Sequence, residues 1–364
     1  MLHPFDVICA ILRARLTGEP LDRGLVAALE RGEINDRELV AVASRHRVTP
    51  ALAACLGDLG LDDRLPPELR DYLAFMRASN AARNRALLEQ LGEIVSRFNG
   101  LGVEPCLLKG AARLIDGLYP DLSWRFMVDL DVLVPEDQLQ VCVDALRANG
   151  YYEEPEALDR GEGKHYPALV STQGPAAVEL HINIAPERFR LLAPTHEVKD
   201  TSIVERSRIG NIYLLKPEYQ IIYMIAHNQI FHARRFYEIS MVSELVELGL
   251  SISRYEPHLD WSFILDKFAK PDWRRACLAS LQAARILIGA PIPEHITPDL
   301  LIRLYLMRLL GQERFHSARV AGLVFGWFTQ GFHRLSQPDR REFFARVVDN
   351  PKPYLEVLRD HLKA

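Results

Sequence analysis

Two aspartates, Asp129 and Asp131, stand two residues apart in an apolar run that covers residues 127–134. The run predicts a buried strand, in which residues i and i+2 point to the same face. Two neighbouring carboxylates repel each other and are costly to remove from water. A divalent cation relieves both costs, because Mg²⁺ binds one or two carboxylates together with substrate phosphates. The pair therefore indicates metal-assisted phosphate chemistry; the alternative is a polar face on an edge strand.

A second candidate is Lys109-Gly110, which follows a short apolar segment (residues 101–108) and precedes the helix-forming residues 111–114. A strand, a glycine turn and a helix N-terminus together predict a phosphate site with free backbone N–H groups. Lys109 adds a point charge for a phosphate oxygen. The alternative is an ordinary loop before a helix.

A third carboxylate stands in the alternating segment 177–182, where Glu179 and His181 share one face. If this strand lies beside that of Asp129, Glu179 supplies a further metal ligand or accepts a proton from an attacking hydroxyl. The alternative for Glu179 is a solvent-facing strand residue. His181 is equally well explained by a hydrogen bond within the sheet and by contact with substrate.

The elements around these residues predict an α+β fold, in which a small mixed-sheet core is flanked by helical N- and C-terminal regions. Residues 79–99 predict a helix with an apolar stripe, residues 136–149 predict a second helix, and residues 165–184 predict a hairpin. We expect a helical N-terminal region (1–85), a catalytic core (86–200) and a helical C-terminal domain (201–364).

Composition narrows the class of protein. The net charge of the 364 residues is −4, so no basic stripe indicates binding to long nucleic acid. The five cysteines show no Cys-x-x-Cys spacing, which predicts reduced thiols and a cytoplasmic location. The N-terminus lacks the features of a signal peptide, and the sequence has no apolar run of about 20 residues, so we expect no membrane span.

The motifs LLKG (107–110), WRFMVDLDVLV (124–134), VELH (178–181) and MIAHNQIFHARRF (224–236) are specific as a set. Together they resemble the bacterial family labelled uncharacterised nucleotidyltransferase, within the polymerase-β-type nucleotidyltransferase superfamily. The N-terminal segment ASRHRVTPALAACL and the helix RALLEQLGEIVSRFNGLGV also fit that family, so the resemblance covers most of the chain. It implies transfer of a nucleotidyl group from a nucleoside triphosphate to an acceptor hydroxyl.

The resemblance also suggests roles for individual residues. It implies that Mg²⁺ (or Mn²⁺) is held by Asp129, Asp131 and Glu179. It favours a role for Arg125 either in binding the triphosphate or in supporting the structure, because Arg125 matches an arginine of the family. Further candidates to line the nucleotide-binding cleft are Lys164, His227, Asn228, His232 and Arg235. For Lys164 the alternative is one charge in a glycine-rich loop, and for His227 it is a core or interdomain histidine.

One departure concerns Ala111, because the wider superfamily usually has a serine after the glycine. The hydroxyl that commonly touches a nucleotide phosphate is absent, so we expect Lys109 to compensate. Two alternative functions stay open. One is a degenerate module that binds nucleotide or protein without chemistry, and the other is a toxin-like modifier of transfer RNA or protein. The sequence leaves the acceptor open between a small molecule, a protein and an RNA end.

Overall fold

The computed structural model describes residues 2–153, 164–231 and 241–315, together with residues 318 and 320–322. The N-terminal region is helical, as predicted. Side chains of His3, Asp22 and Asn35 accept hydrogen bonds from backbone N–H groups at three of the helix starts, which stabilises those ends. The helices are α1 (Pro4–Thr17), α2 (Arg23–Glu30), α3 (Asp36–Arg45) and α4 (Thr49–Asp58), with a short 3₁₀ turn at Asp62–Arg64.

A single long helix, α5 (Pro67–Gly100), links this region to the sheet. The predicted start near residue 79 was wrong. Proline is tolerated in the first turn of a helix, so the helix begins at Pro67 and crosses the boundary expected at residue 85. The predicted apolar stripe is confirmed, because its side chains are buried against the sheet: Leu87, Leu91, Ile94 and Val95.

Seven strands form one mixed sheet in the described residues, with the order β3-β4-β5-β2-β1-β7-β6. The pairs β2·β5 and β1·β7 are parallel and the other pairs are antiparallel, which confirms the α+β class. The strands are β1 (Cys106–Leu107), β2 (Asp129–Leu133), β3 (Tyr151–Glu153), β4 (Leu169–Ser171), β5 (Ala177–His181), β6 (Ile203–Ser207) and β7 (Gly210–Leu214). Between them lie α6 (Lys109–Arg113), α7 (Leu139–Arg147) and α8 (Thr195–Thr201).

The hairpin of β6 and β7 corrects the expectation that the chain is helical from residue 201. Strand β7 pairs with β1, so residues 203–214 extend the same sheet as the core. Strand β6 is a largely exposed edge strand, and its side chains lack the apolar alternation that identifies a strand in a sequence. The helices that follow are α9 (Pro217–Ile225), α10 (Val242–Tyr255), α11 (Trp261–Lys267), α12 (Pro271–Ala283) and α13 (Leu300–Arg314), and π-helical turns extend α9 and α12 at Ala226–Phe231 and Ala284–Ile288.

The two faces of β2 serve different purposes. Leu130 and Val132 belong to the apolar core that the sheet forms with α5 and α7. Asp129 and Asp131 alternate with them and therefore point to the opposite face. On that face Leu133 belongs to the larger core formed with the N- and C-terminal helices. The two aspartates are thus placed between the sheet and the flanking helices. Within the described ranges, no helix has the length and apolar character needed to cross a membrane.

Candidate nucleotide and metal site

A cluster of acidic and imidazole groups lies on one face of the paired strands β2 and β5. These strands are parallel, and Asp131 is directly opposite Glu179. The predicted adjacency of the two strands is therefore confirmed. His181 follows Glu179 on the same face, and ligand atoms of Asp131, Glu179 and His181 all lie within 4.8 Å of one another. The strand register thus brings a carboxylate pair and an imidazole together from positions 50 residues apart in the chain.

Asp131 is the centre of this cluster and is only 1 % exposed. Its Oδ1 accepts a hydrogen bond from Nζ of Lys109 at 2.5 Å and lies 2.8 Å from Nε2 of His181. Burial alone would raise the pKa of Asp131, but Lys109 and His181 outweigh burial and hold that pKa well below its usual range. Both contacts fall on Oδ1, which leaves the second oxygen of an ionised carboxylate for a cation.

The other two carboxylates differ in their surroundings. Burial and the charge of Asp131 raise the pKa of Asp129 above its usual value. Burial has the largest single effect on the pKa of Glu179 and raises it, but the contact with His181 and the charges of Lys109 and His165 together outweigh burial, so the net shift is downward. Asp129 lies outside the cluster of Asp131, Glu179 and His181, but the charges of Asp131 and Glu179 act on it. The three carboxylates and one lysine therefore leave an excess of negative charge. Such a set of oxygen donors fits a hard divalent cation such as Mg²⁺.

Lys109 reaches Asp131 from an unusual backbone conformation. Its φ is 44°, in the left-handed region that side chains with a Cβ rarely adopt. The helix that it begins, α6, has only five residues. A helix this short has few aligned peptide dipoles, so the predicted phosphate site at a helix N-terminus has little support. Phosphate binding here is better supported by side chains.

Gly110 allows two side chains to approach its backbone closely. A Cβ at this position would lie 2.7 Å from Nη1 of Arg125 and 2.8 Å from Cε of Met127. Any larger residue would therefore displace the Arg125 guanidinium. The glycine predicted to admit a phosphate instead admits the side chain of Arg125.

A cavity beside the carboxylates is built from all three regions of the chain. The core lines it with Lys109, Gly110, Arg125 and Asp129, and the N-terminal region contributes Arg47. The C-terminal region contributes residues of α9, of the π-helical turn after it and of α10: Gln220, Tyr223, Met224, His227, Asn228, Met241, Ser243, Glu244 and Glu247. Short π-helical turns are frequent at functional sites. His227 thus lines the cavity, whereas His232 and Arg235 lie outside the described residues.

Arg125 is held in place by a carboxylate that the sequence analysis missed. Its Nε donates to Oε2 of Glu247 at 2.7 Å, and Nε of Arg113 donates to Oε1 of the same carboxylate at 2.9 Å. The Tyr119 hydroxyl donates to Glu247 as well. Burial would raise the pKa of Glu247, but Arg125 and Arg113 outweigh it and lower that pKa to about 2. The available signal was an acidic residue between apolar residues of α10.

Comparison with known proteins assigns the family. The model of the family described as uncharacterised nucleotidyltransferase matches residues 32–289. The chain belongs to this family. A similar solved structure is the crystal structure of an antigenic nucleotidyltransferase-like protein from Paracoccidioides brasiliensis. It is 16 % identical, with a TM-score of 0.37, and the match covers 57 % of this chain and 92 % of that chain. A search of curated proteins found no match.

Polar residues of α5 hold the irregular segment 119–128, which carries Arg125. Nδ2 of Asn84 donates to the carbonyls of Leu122 and Arg125 at 2.6 and 2.7 Å. Nδ2 of Asn80 also donates to the Arg125 carbonyl, at 3.0 Å. Neither asparagine was predicted from the sequence to have a role in the site. The available signal was their spacing of four residues inside a long helix, where asparagine has low propensity.

Of the residues singled out from the sequence, Asp131, Glu179 and His181 belong to the acidic cluster and do not line the cavity themselves, and neither do Lys164 and Ala111. Lys164 is buried, and its backbone carbonyl accepts the N–H groups of Ile182 and Asn183. Ala111 is fully buried in the apolar core between the sheet and α5. A serine hydroxyl at position 111 would therefore lie in that core, so the departure from the superfamily pattern carries little weight for phosphate binding.

Proposed function

We propose that this protein is a metal-dependent nucleotidyltransferase that moves a nucleotidyl group from a nucleoside triphosphate to an acceptor hydroxyl. The observation that carries the proposal is that Asp129, Asp131 and Glu179 share one face of the paired strands, and that Asp129 also lines a cavity with Lys109 and Arg125. Membership of the nucleotidyltransferase family supports the same reaction.

In this proposal Asp129, Asp131 and Glu179 hold one or two divalent ions, Mg²⁺ or Mn²⁺. The bound metal would lower the pKa of the attacking hydroxyl and stabilise the charge on departing pyrophosphate. Glu179 is deprotonated at neutral pH, since its pKa lies below the usual value, and is available to accept the proton of that hydroxyl.

The cationic side chains of the cavity are proposed to bind the triphosphate. Lys109 supplies a compact point charge, and Arg125 supplies a planar fork that suits phosphate oxygens. Lys109 is paired with Asp131, so we expect it to exchange part of this contact for a phosphate oxygen when nucleotide binds. The C-terminal helices, with His227 and Asn228, would close the cavity and select the acceptor. A cytoplasmic location remains a prediction from the sequence.

The test is transfer of label from α-³²P-labelled nucleoside triphosphates to a panel of acceptors, with Mg²⁺ or Mn²⁺ present. The panel contains small hydroxyl compounds, transfer RNA and proteins. We expect labelled product together with pyrophosphate release, and loss of both in Asp129→Asn and Asp131→Asn. Asp144→Asn is the matched control, because Asp144 is an exposed aspartate of α7. Metal-dependent nucleotide binding without pyrophosphate release would support the degenerate binding module instead.

A further inference from the structure

Tyr223, on α9, has a buried hydroxyl with no hydrogen-bond partner in the described part of the chain, and its side chain lines the cavity. The residue is 3 % exposed, and its Oη has no donor or acceptor within reach in the described part of the chain. A buried polar group without a partner is destabilising, and native proteins rarely keep one without a reason. The side chain lines the cavity together with Lys109, Asp129 and His227.

The ring of Tyr223 packs against two other aromatic rings. The Tyr223 ring lies 5.7 Å from the ring of His227 and 6.3 Å from the ring of Phe231, measured between centroids. Both neighbours belong to the π-helical turn that follows α9. Packing on these sides limits the movement of the ring and of its hydroxyl, as it does for donors in binding sites.

The charges that act on this hydroxyl are those of the candidate site. Burial raises the pKa of the Tyr223 hydroxyl above its ordinary value of 10, Lys109 lowers it, and Asp131, Glu179 and Asp129 raise it again. The net shift is upward, so the group is a protonated donor at neutral pH. None of these three carboxylates is close enough to accept its hydrogen bond. An acceptor from a bound ligand would complete the arrangement.

We infer that Tyr223 is a substrate-binding residue whose hydroxyl donates a hydrogen bond to a phosphate oxygen of the bound nucleoside triphosphate. This inference rests on the proposed function. Phosphate is the fitting acceptor because Lys109, the cation that acts most strongly on this hydroxyl, is the residue proposed to bind the triphosphate. The C-terminal region would then contribute directly to nucleotide binding, as well as closing the cavity.

The experiment compares the full-length wild type with Tyr223→Phe and Tyr219→Phe. Tyr219 is a matched control, because it is a buried tyrosine one turn earlier on α9 and lies outside the set that lines the cavity. Calorimetric titrations use two probes with Mg²⁺ present, namely a non-hydrolysable nucleoside triphosphate analogue and inorganic triphosphate. We expect Tyr223→Phe to weaken binding of both probes about tenfold, as loss of a hydrogen bond to a charged group does.

Thermal unfolding of the same variants separates binding from packing. Tyr223→Phe removes a buried hydroxyl without a partner and keeps the ring, so we expect an unchanged or higher Tm. Tyr219→Phe should leave both affinities unchanged. Weaker binding together with a lower Tm would show a packing role and overturn the inference.

The remaining outcomes distinguish this inference from the proposed function. Equal binding of both probes by wild type and Tyr223→Phe would overturn the inference alone. Weaker binding of the nucleotide analogue with unchanged binding of inorganic triphosphate would overturn the phosphate contact. A wild type that binds neither probe would overturn the inference and the proposed function together.

Discussion

Lys109 combines a strained backbone with a buried ion pair, and strain of this kind is concentrated at functional sites. Its φ of 44° costs on the order of 1 kcal/mol for a residue with a Cβ. The conformation carries Nζ to Oδ1 of Asp131, so one cation offsets the burial that would otherwise raise the pKa of this carboxylate. The same cation lies at the edge of the cavity, where a triphosphate would meet it.

The first prediction is that Lys109→Ala has opposite effects on two ligands. Loss of a charge-assisted contact, typically about 1.5–3 kcal/mol, weakens binding of a nucleoside triphosphate by roughly ten- to a hundredfold. Mn²⁺ alone should bind more tightly, because Asp131 loses a competing cation. Calorimetry with each ligand measures both effects.

Lys267→Ala is the control for this prediction. It breaks a lysine–carboxylate pair with Glu197 that lies outside the residues lining the cavity. It should change neither affinity. Normal triphosphate binding by Lys109→Ala would show that Lys109 only holds Asp131.

At the scale of elements, helix α5 positions the candidate site from behind the sheet. Its apolar stripe packs on the sheet, while Asn80, Asn84 and Arg83 hold the segment that leads into β2. Arg125 therefore has two anchors, with its carbonyl on α5 and its guanidinium on Glu247. The position of the guanidinium depends on both.

The second prediction concerns Asn84→Ala. The change leaves the partly buried carbonyl of Leu122 without its donor, which costs about 1–3 kcal/mol of unfolding free energy. Because Arg125 loses one anchor, nucleotide affinity should fall, while binding of Mn²⁺ alone should not change. Urea unfolding and calorimetry are the measurements.

Asn99→Ala tests whether this effect is specific to the site. Asn99 lies near the end of the same helix, and its Nδ2 donates to the carbonyls of Val103 and Asn211. The variant should lose stability and keep its nucleotide affinity. Equal losses of affinity in both variants would argue against a special role of Asn84.

The elements that periodicity specifies were predictable from the sequence. The apolar stripe of α5, the strand with its two aspartates and the strand of Glu179 each follow a local pattern. The hairpin at residues 203–214 was missed, because an exposed edge strand carries no such pattern. The pairing of β2 with β5 could be given only as a possibility, because strand pairing joins residues that are far apart in the sequence.

At the scale of the whole molecule, Glu247 joins the C-terminal helices to the core. One carboxylate on α10 binds Arg113 of α6 and Arg125 of the segment before β2. A single acidic residue in an apolar helix does not indicate which residues it contacts, so this ion-pair connection could not be predicted from the sequence. The same holds for Tyr223, whose position in an apolar helix is typical of a core residue.

The third prediction is a pH dependence of stability that comes from Glu247. Its folded pKa of about 2 lies below the ordinary value of 4.5, so the carboxylate stabilises the fold above pH 4.5. That contribution is lost as the pH falls from 4.5 toward 2. The difference between the two pKa values corresponds to about 3 kcal/mol.

Urea unfolding of wild type and Glu247→Gln at several pH values measures this contribution. At pH 7 the variant should be less stable by about 3–5 kcal/mol, since the buried Arg113 and the half-buried Arg125 lose their carboxylate. The difference should shrink below pH 4.5. A difference that stays constant down to pH 3 would contradict the assignment to Glu247.

The central claim is that Asp129, Asp131 and Glu179 form a metal site beside a triphosphate site. The most direct test is a crystal structure with Mn²⁺ and a non-hydrolysable nucleoside triphosphate, in which anomalous scattering locates the metal. We predict a manganese peak about 2.1–2.3 Å from carboxylate oxygens of all three residues. We also predict phosphate oxygens in contact with the peak, with Lys109 and with Arg125. Nucleotide bound in the cavity with no metal at these carboxylates, or manganese bound only elsewhere, would contradict the account.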